Sequence, residues 1–538
     1  MIYKESAAPW WKRGVIYQIY PRSFQDSDGD GIGDLAGIES RLDHLSLLGV
    51  DAIWLSPVFP SPMADFGYDV ADYCDIEPLF GDLEDFDRLL AAIHQRGMKL
   101  LLDYVPNHSS DRHPWFVESR SSRDSPKRDW YIWRDPAPNG GPPNNWISDF
   151  GGSSWEWDEP TRQYYLHAFL KEQPDLNWRN PDLRAAMMDV LRFWLDRGVD
   201  GFRIDVLWHI VKAADLPDNP VNPDWRKGQT ERDRLIQLHS TDQPEAHAIS
   251  ADFRALADQY GSGPDSQRVL IGEIFLPNER HAHWYGTPER PQVHLPFNFQ
   301  LIESRWDPVE LRRVIAEYEA SLPAFAWPNW VLGSHDAPRI AARIGEAQAR
   351  VAAMLLLTLR GTPTIYQGDE IGIGQVDIPA DRIRDPQDLR QPGIGIGRDR
   401  ARTPMPWNAA PFAGFSTTEP WLPLNPDWPS RNVALQAEDR GSILSLYRDL
   451  LKLRRSSGAL TLGAFLLADA DKDILAYERR QDDERLLIVL NFGTRERVLI
   501  VPADARIDSV LASTLPLRDM DGRVLPNEGL IIRLRDAV

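Results

Sequence analysis

The chain has 538 residues, with 60 Lys and Arg against 80 Asp and Glu and a formal net charge of −20. That length allows a large domain with inserts plus a smaller one, and the acidic balance excludes nucleic acid and anionic membrane as expected partners. The single cysteine, Cys74, excludes an intrachain disulfide and fits a reducing compartment; it sits in a Tyr-Cys-Asp run that reads as packing and not as a nucleophile. The first residues, MIYKESAAPWWKRG, contain no apolar signal core, and the longest apolar run, Val351 to Leu357, is too short to span a bilayer. The expectation is a soluble cytoplasmic protein.

In chain order, eight short apolar segments read as strands: VIYQIY at 15–20, AIWLSPV at 52–58, KLLLDYV at 99–105, GFRIDV at 201–206, VLIGEIF at 269–275, HLPFNF at 294–299, WVLGSH at 330–335 and TPTIYQG at 362–368. Helical periodicity lies between several of them. Phe86, Leu89, Leu90 and Ile93 share one face of a helix over 83–96, with Gly97 after it, and a second helix over 183–196 stops at Gly198. Eight strand–helix units predict an α/β fold, a closed parallel (β/α)8 TIM barrel.

The stretch 109–178 is too long for a strand–helix loop. It is rich in Trp, Pro, Asn and Asp, and it reads as an inserted, loop-rich domain forming one wall of a site. The barrel then occupies 1–108 and 179–462, with further insertions at about 212–248 and 371–435. From 463 to 538 the texture becomes alternating, as in ILAYERR, RLLIVLNFG and RVLIVPA, which predicts a C-terminal antiparallel β domain of sandwich type. The 20 Trp suit either a large core or stacking against sugar rings.

Buried parallel strands should be almost entirely apolar. Yet Asp103, Asn107 and His108 follow the third strand, Arg203 and Asp205 end the fourth, Glu273 ends the fifth, and His335 and Asp336 follow the seventh. Charges at four strand ends of one barrel face point to a catalytic site there. Glycoside hydrolysis needs two carboxyl groups, about 5–5.5 Å apart in a retaining enzyme. Asp205 and Glu273 end adjacent strands and fit that need. Arg203, two residues before Asp205 and on the same face, should keep Asp205 ionised as a nucleophile. Glu273, between apolar neighbours, should hold a proton for the leaving oxygen.

The segment DSDGDGIGDL at 26–35 sets Asp26, Asp28, Asp30 and Asp34 among tight Gly turns. So many carboxylates on one loop suit a hard cation with oxygen ligands; Gly37 in place of a twelfth-position Glu rules out an EF-hand.

DYVPNH at 103–108, GFRID at 201–205, the Glu of IGEIF at 273 and GSHD at 333–336 resemble, in order and spacing, the signature regions of glycoside hydrolase family 13, the α-amylase family. QPDLNW at 173–178 and GRDRARTPMPW at 397–407 are similar to runs of its α-glucosidase and oligo-1,6-glucosidase branch. The resemblance covers nearly the whole chain from YQIYPRSF at 17–24 onward. It implies Asp205 as nucleophile, Glu273 as acid/base and Asp336 as the third carboxylate on the sugar hydroxyls. It implies that His108 and His335 bind hydroxyls, that Tyr68 stacks under the reacting glucose, and that Asp65 and Arg398 bind its 4-hydroxyl and close the pocket. Phe150 and Phe169 would line it. In this branch the 26–35 loop binds a structural Ca2+ or Mg2+, with the Ile32 carbonyl as a further ligand; no organic cofactor is expected. Ser334 and Arg400 depart from the family pattern and bear on the acceptor side.

The implied activity is exo-acting, retaining hydrolysis or transfer of terminal glucose from short α-glucosides to water or small hydroxyl acceptors, by a monomer or homodimer. Val206 follows the nucleophile, and in this branch Val there tends to accompany α-1,6 preference. The surrounding text, GFRIDVLWHIVKAADLPDNP, looks instead like bacterial enzymes that take maltose, so α-1,4 donors are expected. An oligo-1,6-glucosidase, a trehalose synthase-type isomerase, a phosphorylase and a catalytically silent transporter-associated relative are the alternatives.

Overall fold

A computed structural model describes residues 8–519 and 521–537. Its first three strands are β1 (Ile16–Ile19), β2 (Ala52–Leu55) and β3 (Lys99–Tyr104). Three more, β4 (Trp133–Arg134), β5 (Trp155–Asp158) and β6 (Gln163–Leu166), belong to the excursion after β3. Next come β7 (Gly201–Ile204), β8 (Val269–Glu273), β9 (Leu295–Asn298), β10 (Asn329–Val331) and β11 (Thr362–Tyr366). β1, β2, β3 and β7 to β11 form a closed parallel barrel in chain order, with β11 returning to β1. All eight segments read from the sequence are barrel strands.

Alternation of side chains explains the two-layered core. Leu101, Ile271, Leu295 and Phe297 fill the barrel interior with Ile16 and Trp54. Leu100, Leu102, Phe202 and Leu270 point outward to the helical layer. Where β7 begins, φ of Gly201 is 153° and an added Cβ would meet the Val269 carbonyl oxygen at 2.0 Å, so only glycine lets β7 lie against β8 there.

The first expected helix spans Leu83–Gln95, capped by Asp82, with Gly97 left-handed just beyond its end. The second spans Pro181–Arg197. It starts two residues earlier than its periodicity suggested, because the Asn180 side chain accepts from the N–H groups of Asp182 and Leu183 and Pro181 takes the first helical position.

The excursion forms a helix, Pro114–Ser121, and an antiparallel sheet of order β4-β6-β5. The 212–248 insertion carries a 3-10 turn, Arg232–Arg234, before a helix begins at Pro244. At the C-terminus, β12 (Ala464–Leu467), β13 (Ile474–Gln481), β14 (Glu484–Asn491), β15 (Arg497–Val498), β16 (Ala505–Ser513), β17 (Arg523–Val524) and β18 (Gly529–Asp536) follow. Five make an antiparallel sheet of order β12-β13-β14-β18-β16, and β15 pairs with β17 alone. RVLIVPA therefore contributes two paired residues where a longer strand was expected. Leu475, Tyr477, Leu486 and Ile488 pack into the main core, and the opposite face, with Ala476, Leu487, Val489 and Ile532, forms a core of its own. Among the described residues no helix is long and apolar enough to cross a membrane.

Candidate active site

Ile204 on β7 lies opposite Gly272 on β8. The next residue of each strand is a carboxylate, Asp205 and Glu273, so the barrel register brings them to neighbouring strand ends. Arg203 lies between them, 1% exposed. Its Nη1 lies 2.6 Å from Asp205 Oδ1 and 2.8 Å from Asp103 Oδ1, and its Nη2 lies 2.8 Å from Glu273 Oε2. The guanidinium is stacked near Trp54, whose indole N–H donates to Asp103. Beyond Asp205 the chain turns sharply. Val206 has φ 35° and ψ 45°, the left-handed region that β-branched residues avoid, at a cost on the order of 1–3 kcal/mol. That turn directs its N–H to Glu273 Oε2 at 2.9 Å.

Tyr68 donates from its hydroxyl to Asp103 Oδ2 at 3.1 Å and lies 2.8 Å from His335 Nε2, with its ring parallel to the imidazole. The Gln18 amide occupies His335 Nδ1 at 2.7 Å, which leaves the Nε2 proton for Tyr68 and for Asp336 at 3.0 Å. Asp336 is also held by Arg402 at 2.7 Å and Arg398 at 3.4 Å. Arg398 Nη2 lies 2.8 Å from Asp65 and 2.6 Å from Asp385, and its guanidinium stands over the Phe150 ring.

Asp65, Tyr68, His108, Phe150, Phe169, Asp205, Glu273, Asp336 and Arg398 all line one cavity of 360 Å³, near the small end for ligand pockets. Arg203 and His335 sit beneath its lining as supports. Trp208 is the one Trp among the lining residues, while Trp54, Trp178, Trp194, Trp284 and Trp330 are fully buried, so the tryptophans serve mainly the core. Arg400 is half-exposed near Asp377 and does not line the cavity. Cys74 is half-buried, and burial pushes its thiol up to about 11, in keeping with a packing role.

The family model for the α-amylase catalytic domain matches residues 18–463. The chain belongs to the α-amylase family. It is 42% identical to a probable alpha-glucosidase of Rhizobium meliloti (strain 1021), covering 90% of this chain and 89% of that protein. It is 39% identical to an oligo-1,6-glucosidase of Parageobacillus thermoglucosidasius, covering 92% of each. Among solved structures, the alpha-glucosyl transfer enzyme XgtA superposes with a TM-score of 0.93 at 39% identity, over 98% of this chain and 100% of that one. This member of the α-amylase family is a glycosidase or transglucosylase.

Electrostatics in this family member differ from the sequence expectation at one point. Burial pushes Glu273 above the ordinary carboxylate range, against the pull of Arg203, as expected. Burial also pushes Asp205 well up, against the pull of Arg203 that was expected to set its charge alone, and with Glu273 raised beside it the two carboxylates titrate as a pair. The reason is geometric: one guanidinium is divided among Asp103, Asp205 and Glu273, so no single carboxylate receives its whole charge. Burial pushes Asp103 up to about 6 despite Arg203. Asp336 goes the other way; burial would raise it, but His335, Arg402 and Arg398 hold it far below the usual range. Burial lowers His108 to about 4 and His335 well below its ordinary value, so both imidazoles are neutral hydrogen-bonding groups.

Sequence reasoning missed Asp385 and Arg402 as site residues. Asp385 is fully buried and accepts from the Arg398 backbone N–H at 2.7 Å and its Nε at 3.0 Å. It lies in the third insertion, where no periodicity marks it; Arg402 was visible in the GRDRARTPMPW run.

In the 26–35 loop, carboxylate oxygens of Asp26, Asp28 and Asp34 lie within 4.8 Å of one another. Asp30 is not part of that group, and its Oδ1 accepts from the Ile32 N–H at 2.7 Å. Burial would raise Asp26, but the Ser416 hydroxyl and the N–H groups of Gly29, Gly31 and Asp28 hold it below the usual range. An oxygen-only set of carboxylate donors fits a hard divalent cation.

Proposed function

We propose that this family member is a retaining, exo-acting α-glucosidase that also transfers glucose, with α-1,4-linked disaccharides such as maltose as donors. The observation that carries the retaining mechanism is that Asp205 and Glu273 pair with Nη1 and Nη2 of the same guanidinium. Carboxylates held on two arms of one fork suit the separation of about 5–5.5 Å in a retaining pair better than the about 6.5–9.5 Å of an inverting one. Asp205 attacks the anomeric carbon while Glu273 gives its proton to the glycosidic oxygen, and the C–O bond breaks. Glu273, now ionised, takes a proton from water or an acceptor hydroxyl, whose oxygen displaces Asp205. The Arg398–Asp65–Asp385 cluster supports a pocket for one glucose, hence action from chain ends. In the 26–35 loop, Asp26, Asp28 and Asp34, with Asp30 and the Ile32 carbonyl, would hold a structural Ca2+ or Mg2+.

Oligo-1,6-glucosidase activity is the second reading. Val206 lines the cavity, and one methyl-sized contact decides about 1–3 kcal/mol. Trp208, Thr230 and Arg232 from the following loop line the same cavity and can outweigh it. Comparing kcat/KM on maltose and isomaltose tests the linkage; a preference of about tenfold or more for isomaltose overturns it. Product analysis on maltose and sucrose separates hydrolysis and transfer from isomerisation.

A further inference from the structure

Lys212 is 2% exposed, seven residues after the candidate nucleophile, and takes no part in the chemistry above. Its ammonium donates to Asn107 Oδ1 at 2.7 Å and to the His209 carbonyl at 2.6 Å, and it pairs with Asp175. Asn107 and Asp175 are themselves fully buried. The three groups come from three parts of the chain: the loop after β3, the end of the excursion and the loop after β7.

An ammonium has no acceptor, so it must face the carbonyl oxygen of the Asn107 amide. An ionised carboxylate has no donor, so it must face the amide nitrogen, and Asp175 Oδ1 lies 3.3 Å from Asn107 Nδ2. Both charges therefore select the same orientation of one amide. That amide nitrogen lies 3.1 Å from His108 Nδ1. Nδ1 must then accept, and the imidazole proton must sit on Nε2. Nε2 lies 3.2 Å from the Tyr68 carbonyl oxygen, a suitable acceptor. Nε2 is also 3.1 Å from Gln173 Nε2, but Gln173 Oε1 accepts from the Leu170 N–H, so its amide nitrogen is a donor and gives to Asp65 at 3.2 Å. The opposite tautomer would gain that one contact and lose both others.

We infer that the buried Lys212–Asp175 pair is a positioning device: by orienting Asn107 it fixes His108 as the Nε2–H tautomer, with that proton directed to the Tyr68 carbonyl and the ring held in the pocket wall. Lys212 touches no substrate and acts through Asn107. The role of His108 toward sugar rests on the glucosidase reading; the tautomer does not.

The test uses 15N-histidine NMR on the full chain, with the His108 signals assigned by their loss in His108→Asn. The wild type should show a protonated Nε2 and an unprotonated, pyridine-like Nδ1. Lys212→Met should add an Nδ1–H population. Because that variant strands the buried Asp175 charge, Lys212→Met/Asp175→Asn is the companion, with both orienting charges removed. On 4-nitrophenyl α-glucoside, Lys212→Met should lower kcat/KM about tenfold, the scale of one misplaced hydrogen bond. The loss should shrink on the monodeoxy analogue that is least sensitive to His108→Asn. A wild-type His108 protonated on Nδ1 overturns the inference even if both variants fail to fold. So does an unchanged tautomer in either folded variant, or an equal kinetic loss on every analogue. Absence of glucosidase activity in the wild type would instead remove the proposed function and leave the NMR result to decide.

Discussion

The backbone N–H of Val206 donates to Glu273 Oε2 at 2.9 Å. The residue after one candidate catalytic carboxylate thus holds the other, from a left-handed turn at φ 35°. Together with the shared Arg203, this ties the two carboxylates to each other across neighbouring strand ends, which is the pre-organisation that double displacement needs.

Asp205→Asn and Glu273→Gln should each reduce turnover of 4-nitrophenyl α-glucoside by about three orders of magnitude or more, with the thermal transition retained. Each removes one of two obligatory carboxyl functions. NMR at early times should show the α-anomer of glucose released first. A variant keeping a tenth of wild-type activity, free of carry-over, would exclude the assignment.

Arg398→Ala should raise KM and lower kcat together. Arg398 bridges Asp65, Asp336 and Asp385 at the pocket, and its loss leaves buried Asp65 and Asp385 without their guanidinium, a change worth about 3–5 kcal/mol. Asp385→Asn should move both constants the same way by less, because the backbone contact at Arg398 can be kept. Steady-state kinetics on maltose checks both.

The pH profile of kcat/KM should be bell-shaped, and its limbs belong to the Asp205–Glu273 pair and not to either residue alone. Burial raises both groups, so the pair keeps its one required proton above the ordinary carboxylate range. Activity should fall on the acid side as a second proton binds and on the alkaline side as the last one leaves. Replacing Asp336 should not abolish the acid limb, because Asp336 is held ionised far below it. An acid limb that vanishes in Asp336→Asn would count against this.

Asp369 gives a separate stability signature. Burial pushes it up to about 7, against Arg339. With its folded value above the unfolded value of 3.8, its favourable contribution is fully present below that value and is lost as pH rises through about 7. The melting temperature of Asp369→Asn should therefore depend less on pH between these limits than that of the wild type. Parallel curves in calorimetry would refute this.

Chelation should lower the melting temperature, and added Ca2+ or Mg2+ should restore it, because an ion bound only by the folded loop stabilises it by mass action. Asp28→Ala should abolish the response while leaving the chelated protein nearly unchanged. A chelator-insensitive wild type would exclude a cation at Asp26, Asp28 and Asp34.

The sequence by itself determined the barrel and the location of its chemistry. Buried parallel strands produce short apolar runs, and polar residues at their ends, such as Asp205 and Glu273, stand out against that background. The period of two also put Arg203 on the face of Asp205. Only the tertiary structure decided how charge is shared. Arg203 looked like a partner for Asp205 alone, and the barrel register divides it with Asp103 and Glu273. Asp385 on Arg398 and Lys212 on Asp175 were likewise invisible, because these partners lie in irregular loops that no local periodicity brings together. A charge's partner is set by where the chain returns in space. That return is governed by packing of the whole fold, not by the residues on either side.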